Sequence, residues 1–315
     1  MKKVLLTGTC GFIFSNFIRR AIYDKQPYKF VSIDRVAGNA NVLYFHKNHT
    51  FHIADVKDQH IIDKIFQFER PDIVIHAAAE TFVDYSLTNP NSFVENNVLG
   101  TQVIVNSCIK HNVEKLIYIS TDEVYGHLTS ENDPSWSESS PLNPRNPYAA
   151  SKAAGELLVQ AAHQSHGLTY NITRSSNNYG PRQTPEKLIP KAIKCVFNGE
   201  KIPIYGQGLQ IRDWTHVFDN CEAILTVLNH GKPNEVYNIS ANQEFANIEV
   251  IQKILTVMDE GYDFISFVNE RPGHDFRYSI DSSKIRELGW KPQFKFSQGI
   301  EETVEWYKID KWFLK

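Results

Sequence analysis

Five residues in two short stretches have the types and spacing for acid–base chemistry. In "KLIYISTDEVYG", Thr121, Asp122 and Glu123 follow one another; in "NPYAASKAAGELL", Tyr148 and Lys152 stand four residues apart. A phenol with a pKa near ~10 is a poor base at neutral pH, but a neighbouring cation favours its phenolate. At helical spacing Tyr148 and Lys152 share one face, so Tyr148 can act as a base toward an alcohol or sugar hydroxyl. Two adjacent carboxyls can serve as an acid and a base if their surroundings split their pKa values. Each feature alone is commonplace: a Tyr-x-x-x-Lys spacing on an amphipathic surface helix, an Asp-Glu pair in a solvated loop or helix cap. Their placement raises their weight. "KLIYIS" reads as a buried strand, and Thr121, Asp122 and Glu123 sit at its C-terminal end, the edge where open α/β sheets bind ligands.

The elements that must hold these residues alternate along the chain. "KFVSID", "DIVIHAAA" and "KLIYIST" are short β-rich runs of buried character;. Between them "DQHIIDKIFQFE" and "NSFVENNVLGTQVIVNSCIKH" carry apolar residues at helical spacing;. A helix from about Tyr148 to His166 and a strand at "TYNITRS" continue the series. This pattern predicts a parallel sheet with helices on both faces. After Ser176 the texture turns polar. "NNYGPRQTPEKLIP" reads as a functional loop leading into a short helix, and "IYGQGLQIRDW" and "NERPGHDFRY" as further polar insertions;. The expected division is 1–176 as a nucleotide-binding domain, to which about 208–240 returns, and 177–315 as a smaller, interleaved substrate domain.

The chain opens "MKKVLLTGTCGFIFSNFIRRA": an apolar strand, a tight turn with Gly8 and Gly11, then a helix. This is the start of a dinucleotide-binding unit, in which the glycines shape the turn and let a pyrophosphate approach a helix N-terminus. Asp34, 23 residues after Gly11 at the end of the second strand, suits the two hydroxyls of an adenosine ribose and predicts NAD rather than NADP. Arg35 beside it is the group that would favour a 2′-phosphate. Asp55, at the end of a third strand in "HIAD", is placed to meet an adenine amino group. One position breaks the pattern: Phe14 stands where a third small residue normally lets the helix press on the sheet. A ring there must push the helix outward or turn aside, and the expectation is a loosened cofactor site.

Together "GTCGFIFSN", Asp34, "TDEVYG", "YAASK", "SSNNYGPRQTPEKLIP", "GLQIRDW" and "RPGHD" resemble, in order and over essentially the whole chain, the nucleoside-diphosphate-glucose 4,6-dehydratases of the extended short-chain dehydrogenase/reductase superfamily. The Thr-Asp-Glu triplet is the most specific part, since related epimerases and decarboxylases typically lack the acid pair. The resemblance implies an α/β, Rossmann-type doubly wound fold with a smaller, interleaved C-terminal substrate-binding domain. It implies NAD, a dTDP-glucose or UDP-glucose substrate, and a 4-keto-6-deoxyglucose product in deoxysugar (rhamnose-type) biosynthesis. Tyr148, assisted by Thr121 and with Lys152 beside it, would take the O4 proton; Glu123 would take the C5 proton, and Asp122 would protonate the departing C6 hydroxyl. Phe12, Ile13, Val56, Ala77, Ala79 and Asn177 are implied on the cofactor side with Gly8, Gly11, Asp34 and Asp55. Thr81, Asn178, Glu186, Lys187 and Leu188 are implied against the sugar nucleotide. Arg212, Asn242, Arg271 and His274 are implied at its diphosphate and nucleoside, where forked arginine donors suit paired oxygens. Phe82 and Tyr85 depart from the His and Arg of many bacterial members, and the segment after Asp34 is short. A homodimer through helices near 92–111 and 149–165 is the family expectation. The other readings are an epimerase or decarboxylase of the superfamily and a non-catalytic, NAD-sensing binding protein.

Composition fits an enzyme of this kind and excludes other classes. A net charge of −3 with interspersed signs gives no basic stripe for nucleic acid;. No apolar run approaches membrane-spanning length, and a first strand beginning by residue 4 leaves no room for a signal peptide. The four cysteines, Cys10, Cys108, Cys195 and Cys221, are scattered, which predicts reduced thiols in a cytosolic protein and no metal site.

Overall fold

The computed structural model describes residues 1–36, 46–270 and 273–310. Strands β1 (Lys2–Thr7), β2 (Tyr28–Asp34), β3 (His49–Ile53), β4 (Ile73–His76), β5 (Lys115–Thr121) and β6 (Tyr170–Ser175) form one sheet, joined later by β10 (Glu235–Ile239). Its order is β10-β6-β5-β4-β1-β2-β3, and every pairing is parallel. The middle strands are buried throughout, as Val4, Leu5 and Leu6 of β1 are, because helices cover both faces. On one face α1 (Phe12–Tyr23) and α8 (Val217–His230) pack over Val4, Leu6, Ile75 and Ile119. On the other, α2 (Gln59–Glu69), α5 (Gly100–Lys110) and α6 (Pro147–His166) cover Leu5, Val74, Leu116 and Ile172.

Two smaller sheets use the rest of the chain. The strands β7 (Asn177–Tyr179), β9 (Ile211–His216) and β11 (Glu244–Ala246) pair as β11-β9-β7, and β8 (Ile202–Tyr205) pairs with β12 (Ile265–Val268). With α7 (Leu188–Phe197), α9 (Asn247–Met258) and α11 (Phe296–Ile309) they enclose a separate core around Ile193, Ile204, Trp214 and Ile300. The segment "IYGQGLQIRDW", read above as a polar insertion, thus supplies parts of β8 and β9: burial alternates along β8, whereas β9 is buried from Arg212 to His216, polar residues included. Segment 217–239 lies on the large sheet and 211–216 in the small one. The short helix α10 (Ser283–Glu287) packs under β10 through buried Ile285.

The helix expected near 92–111 is interrupted. After the short helices α3 (Val83–Thr88) and α4 (Pro90–Phe93) the chain widens into a π-helical stretch, Val94–Leu99, before α5. The bulge turns Asn96 and Asn97 inward. The Asn97 amide accepts from the Glu80 N–H at 2.7 Å and donates to the Glu80 carbonyl at 3.0 Å and to Ser151 Oγ at 2.8 Å. Such bulges concentrate at functional sites, and this one fixes the strand-end loop after β4.

Two helical glycines seat tyrosines from facing strands. A Cβ on Gly155 of α6 would collide with the Tyr118 hydroxyl of β5, and one on Gly299 of α11 with the Tyr179 hydroxyl of β7. The Tyr118 hydroxyl uses the gap to donate to the Lys152 carbonyl at 3.3 Å.

Candidate active site

The strand order reverses between β1 and β4, and a cavity of about 460 Å³ opens there at the C-terminal edge of the sheet;. It runs from Asp34 at one end to Asp122, Glu123, Tyr148 and Lys187 at the other.

At the first end the chain leaves β1 through Gly8 with φ +77°, donates from Gly8 N–H to the Ile33 carbonyl at 2.9 Å, and starts α1 at Phe12. A Cβ on Gly8 would lie 2.8 Å from both N and Cα of Ala78, so only glycine fits. Gly11 is the N-cap of α1 and has no side chain to cap it. The first-turn amides of Phe12 and Ile13 therefore present donors and the positive end of the helix dipole to the cavity, which both residues line;. Asp34 Oδ2 accepts from the Cys10 N–H at 2.8 Å. Burial pushes its carboxyl above the ordinary value, with the Cys10, Val36 and Arg35 amides pulling the other way. Arg35 is turned to Glu80, Nη2 to Oε1 2.7 Å. Asp55, Val56, Ala77 and Ala79 line the same wall, and Thr7 Oγ1 steadies it by accepting from the Ala77 and Ala78 N–H groups at 3.1 Å each.

Phe14 is buried in the core and also borders the cavity. Its ring is buried between α1 and the sheet, stacked on Phe17 with centroids 5.2 Å apart, and packs with Val4, Leu6 and Ile119. Helix α1 continues unbroken over it to Tyr23. The missing small residue has become a core residue.

At the other end Thr121 closes β5 and caps a single 3-10 turn, Asp122–Tyr125, by accepting from the Glu123 N–H at 3.3 Å. Asp122 is buried. Burial first, and the neighbouring Glu123 second, push its carboxyl up to about 8, and its Oδ2 has no hydrogen-bond partner among the described residues. Glu123 Oε2 accepts from Asn146 Nδ2 at 2.9 Å. Asn146 also caps α6, its Oδ1 accepting from the Ala149 N–H at 2.8 Å, ahead of Pro147 at the first helical position;. Tyr148 and Lys152 follow on the face of α6 toward the cavity. Lys152 Nζ stands 4.2 Å over the Tyr118 ring, and burial lowers its pKa to about 7 against the pull of Glu156. Lys152 stands one helical turn beyond Tyr148 on α6. Burial first, then Glu123, push the Tyr148 phenol above its ordinary value, and only a hydrogen bond with Thr121 opposes them.

The sugar-side residues divide. Thr81, Asn177, Asn178 and Lys187 line the cavity. The Lys187 ammonium donates to the Thr81 carbonyl at 2.8 Å and lies 5.8 Å over the Phe82 ring; the Oδ1 atoms of Asn177 and Asn178 are buried without partners. Glu186 accepts from Thr184 Oγ1 at 2.5 Å, and Leu188 opens α7 against the smaller core. Arg212, Asn242 and His274 are not on the cavity wall. Arg212 donates to the carbonyls of Ile211, Asp275 and Phe276 at 2.7, 2.9 and 3.2 Å and stacks on Tyr278. Asn242 Oδ1 accepts from Arg286 at 2.8 Å, and His274 pairs with Glu270 at 2.6 Å. Arg271 lies outside the described residues. Tyr85, the other departure, is exposed and bonds Asn89 locally at 2.5 Å. Asn146, Glu80, Asn96 and Asn97 are site residues that the sequence reading missed. The Asn-Pro start of α6 was a legible cap signal, but its second bond joins residues far apart in sequence.

A parallel sheet with a glycine cradle at its switch point, and a Tyr-Lys helix beside the next strand ends, defines an extended short-chain dehydrogenase/reductase. Comparisons narrow the class. The family model described as GDP-mannose 4,6 dehydratase matches residues 5–303, and the chain belongs to that family. It is 42% identical to the dTDP-glucose 4,6-dehydratase of Streptomyces niveus, across 97% of this chain and 93% of that protein. The crystal structure of the dTDP-glucose 4,6-dehydratase DesIV from Streptomyces venezuelae, determined with NAD bound, superposes with a TM-score of 0.94 at 38% identity, covering 99% of this chain and 100% of DesIV. The UDP-glucose 4-epimerase of Thermotoga maritima matches with a TM-score of 0.90 but at 26% identity, over 98% of this chain and 99% of that one. Among the described residues no helix is long and apolar enough to cross a membrane.

Proposed function

We propose that this chain is an NAD-dependent hydro-lyase, a dTDP-glucose 4,6-dehydratase that yields dTDP-4-keto-6-deoxyglucose and water. The observation that carries the reading is the acid pair. Asp122, pushed to about 8, holds a proton at neutral pH, while Glu123 beside it accepts a hydrogen bond from Asn146 and reaches the cavity. An epimerase needs no such pair.

The residues present fit NAD. The Gly8 cradle leaves no room for a Cβ, the uncapped N-terminus of α1 suits a pyrophosphate, and Asp34 suits a ribose;. Gly8, Gly11, Phe12, Ile13, Asp34, Asp55, Val56, Ala77, Ala79 and Asn177 would hold it, with Tyr148 and Lys152 at its reactive end. When bound, NAD supplies reversible removal of a hydride from C4 of the sugar and its return at C6. The chain's own residues do the rest. Tyr148, bonded to Thr121, takes the O4 proton as C4 becomes a ketone; burial and Glu123 hold its phenol up in the protein alone, and the positive charge that bound NAD would add, with Lys152 one turn along α6, would favour the phenolate;. The ketone acidifies C5, and Glu123 takes that proton. The C–H electron pair forms the C5–C6 double bond as the C6–O bond breaks, and Asp122 gives its proton so that water departs. Glu123 later returns its proton to C5. The proton gained by Tyr148 and the one lost by Asp122 exchange with solvent, which balances the cycle.

Residues 177–315 supply the sugar-nucleotide side through Thr81's neighbour Lys187 and through Asn178, Glu186 and Leu188. Arg212, whose charge reaches Asp122, and Asn242 and His274 are the residues of that lobe assigned to the diphosphate and nucleoside. Val94, Leu99 and Leu157 are exposed on the helices around α5 and α6 and offer an apolar face to a second copy in a homodimer. A cytosolic setting and a place in deoxysugar biosynthesis accord with four buried cysteines outside any disulfide among the described residues, and with this product. Thymine and uracil differ by one methyl, about 0.8 kcal/mol on burial, so incubation with dTDP-glucose and with UDP-glucose separately, following the 4-keto product, is the deciding experiment. Faster turnover of dTDP-glucose is expected; an epimerised sugar with no loss of water would overturn the reading.

A further inference from the structure

We propose that Asn146 is a positioning residue for proton removal by Glu123, so that one side-chain amide both starts the catalytic helix and aims the base; this rests on the dehydratase reading above.

A carboxylate at the end of a glutamate turns about a broad, shallow torsion, so a base at that position needs something to fix it. Glu123 is held at two points. Its backbone N–H donates to Thr121 Oγ1 at 3.3 Å, and its Oε2 accepts from Asn146 Nδ2 at 2.9 Å. Among the described residues Oε1 has no hydrogen bond, which leaves that oxygen as the one available to a substrate proton. The direction of the Asn146 amide is set by its other end. Oδ1 accepts from the Ala149 N–H at 2.8 Å. A primary amide has one acceptor oxygen and one donor nitrogen, so capping with Oδ1 leaves Nδ2 facing Glu123. The opposite orientation would lose the cap and set a carbonyl against a carboxylate. Serine would cap α6 equally well but has no second arm. Aspartate would cap it and place a like charge against Glu123. Of the good capping residues, asparagine alone is long enough and carries a donor. Arg145, one residue earlier, ion-pairs with Asp275 at 2.7 Å, so the chain entering α6 is anchored independently of the amide.

The placement separates two steps of one reaction. Tyr148, two residues along the same helix, serves oxidation at C4; Glu123 serves elimination at C5. Loss of the Asn146 amide with the cap retained should misdirect the second step alone. The test uses the holoenzyme of wild type, Asn146→Ser and Asn146→Asp in single turnovers with dTDP-glucose. Oxidation is followed by the near-ultraviolet absorbance of reduced cofactor, and elimination by product and by solvent deuterium entering C5. Asn146→Ser is expected to oxidise at the wild-type rate, to slow elimination by roughly 10–100-fold, the scale of a misplaced reacting group, and to accumulate the oxidised, undehydrated sugar. Asn146→Asp, with the cap intact, is expected to slow elimination further. Parallel loss of both steps in the two capping variants would mean that Asn146 only builds the helix, and an unchanged ratio of the steps would mean that it does nothing for Glu123; either overturns the proposal. A wild type that oxidises without ever dehydrating would instead overturn the dehydratase reading itself.

Discussion

The two ends of the cavity are made of different material. The cradle around Gly8 is backbone: a left-handed turn, a helix N-terminus without a capping side chain, and amides that also fix Asp34. The end around Thr121 is side chain: two carboxyls, a phenol and an amine, with burial raising the proton affinity of Asp122 and Tyr148 and lowering that of Lys152. The first can bind an anion but has nothing to give or take. The second can move protons but has little with which to hold a nucleotide. Binding and chemistry are therefore separable by mutation, although they share one cavity and one sheet edge.

The sharpest break in that comparison is Glu123→Gln. The amide cannot take the C5 proton, so elimination should fall by about 10²–10⁴-fold, while cofactor binding and initial oxidation persist. Reduced cofactor persisting in single turnovers checks this, and full turnover at the wild-type rate would remove Glu123 from its role. Next comes pH. The Asp122 carboxyl is raised to about 8, so the acid carries its proton below that value and loses it above. Elimination relative to oxidation should fall about tenfold per pH unit beyond it, as a pH profile of the two steps would reveal. The smallest effect belongs to the cradle. Gly8→Ala forces a side chain into a left-handed backbone, roughly 1–2 kcal/mol, with its Cβ 2.8 Å from Ala78. Cofactor affinity by titration calorimetry should fall about tenfold, with the ratio of elimination to oxidation unchanged in the protein that still binds. If that ratio moved, the two ends would not be independent.

The same contrast decides what was legible beforehand. Backbone requirements print themselves in sequence, because a turn that admits only glycine must be written as glycine, and a strand-turn-helix series fixes the edge at which Asp34, Thr121 and Tyr148 meet. The parallel sheet was readable on those grounds, as was the sheet edge at which Thr121, Asp122, Glu123 and Tyr148 gather. Long-range side-chain contacts have no such signature. The sequence marks Asn146 as a cap and is silent on Glu123. The bonds of Arg212 to the carbonyls of Asp275 and Phe276, which fix where its guanidinium stands, are equally unannounced in the sequence. The buried neighbours of Phe14 come from β1 (Val4 and Leu6), β5 (Ile119) and its own helix (Phe17), three places that the sequence does not visibly join. The π-helical widening at Val94–Leu99 likewise hid inside an ordinary helical periodicity.

The glycines at 155 and 299 carry a lesson for anyone engineering this chain. Helix-propensity rules mark both as faults, each a candidate for replacement by alanine at a gain of about 1 kcal/mol. Here each is a mortise cut for a tyrosine tenon, one joint in the large sheet beneath Lys152 and one in the smaller lobe. A stabilising library built on local rules would select against both joints and, through Tyr118, would disturb the floor on which the catalytic lysine rests. In each lobe helix and strand fit as a matched pair, and neither residue of the pair is free to improve alone.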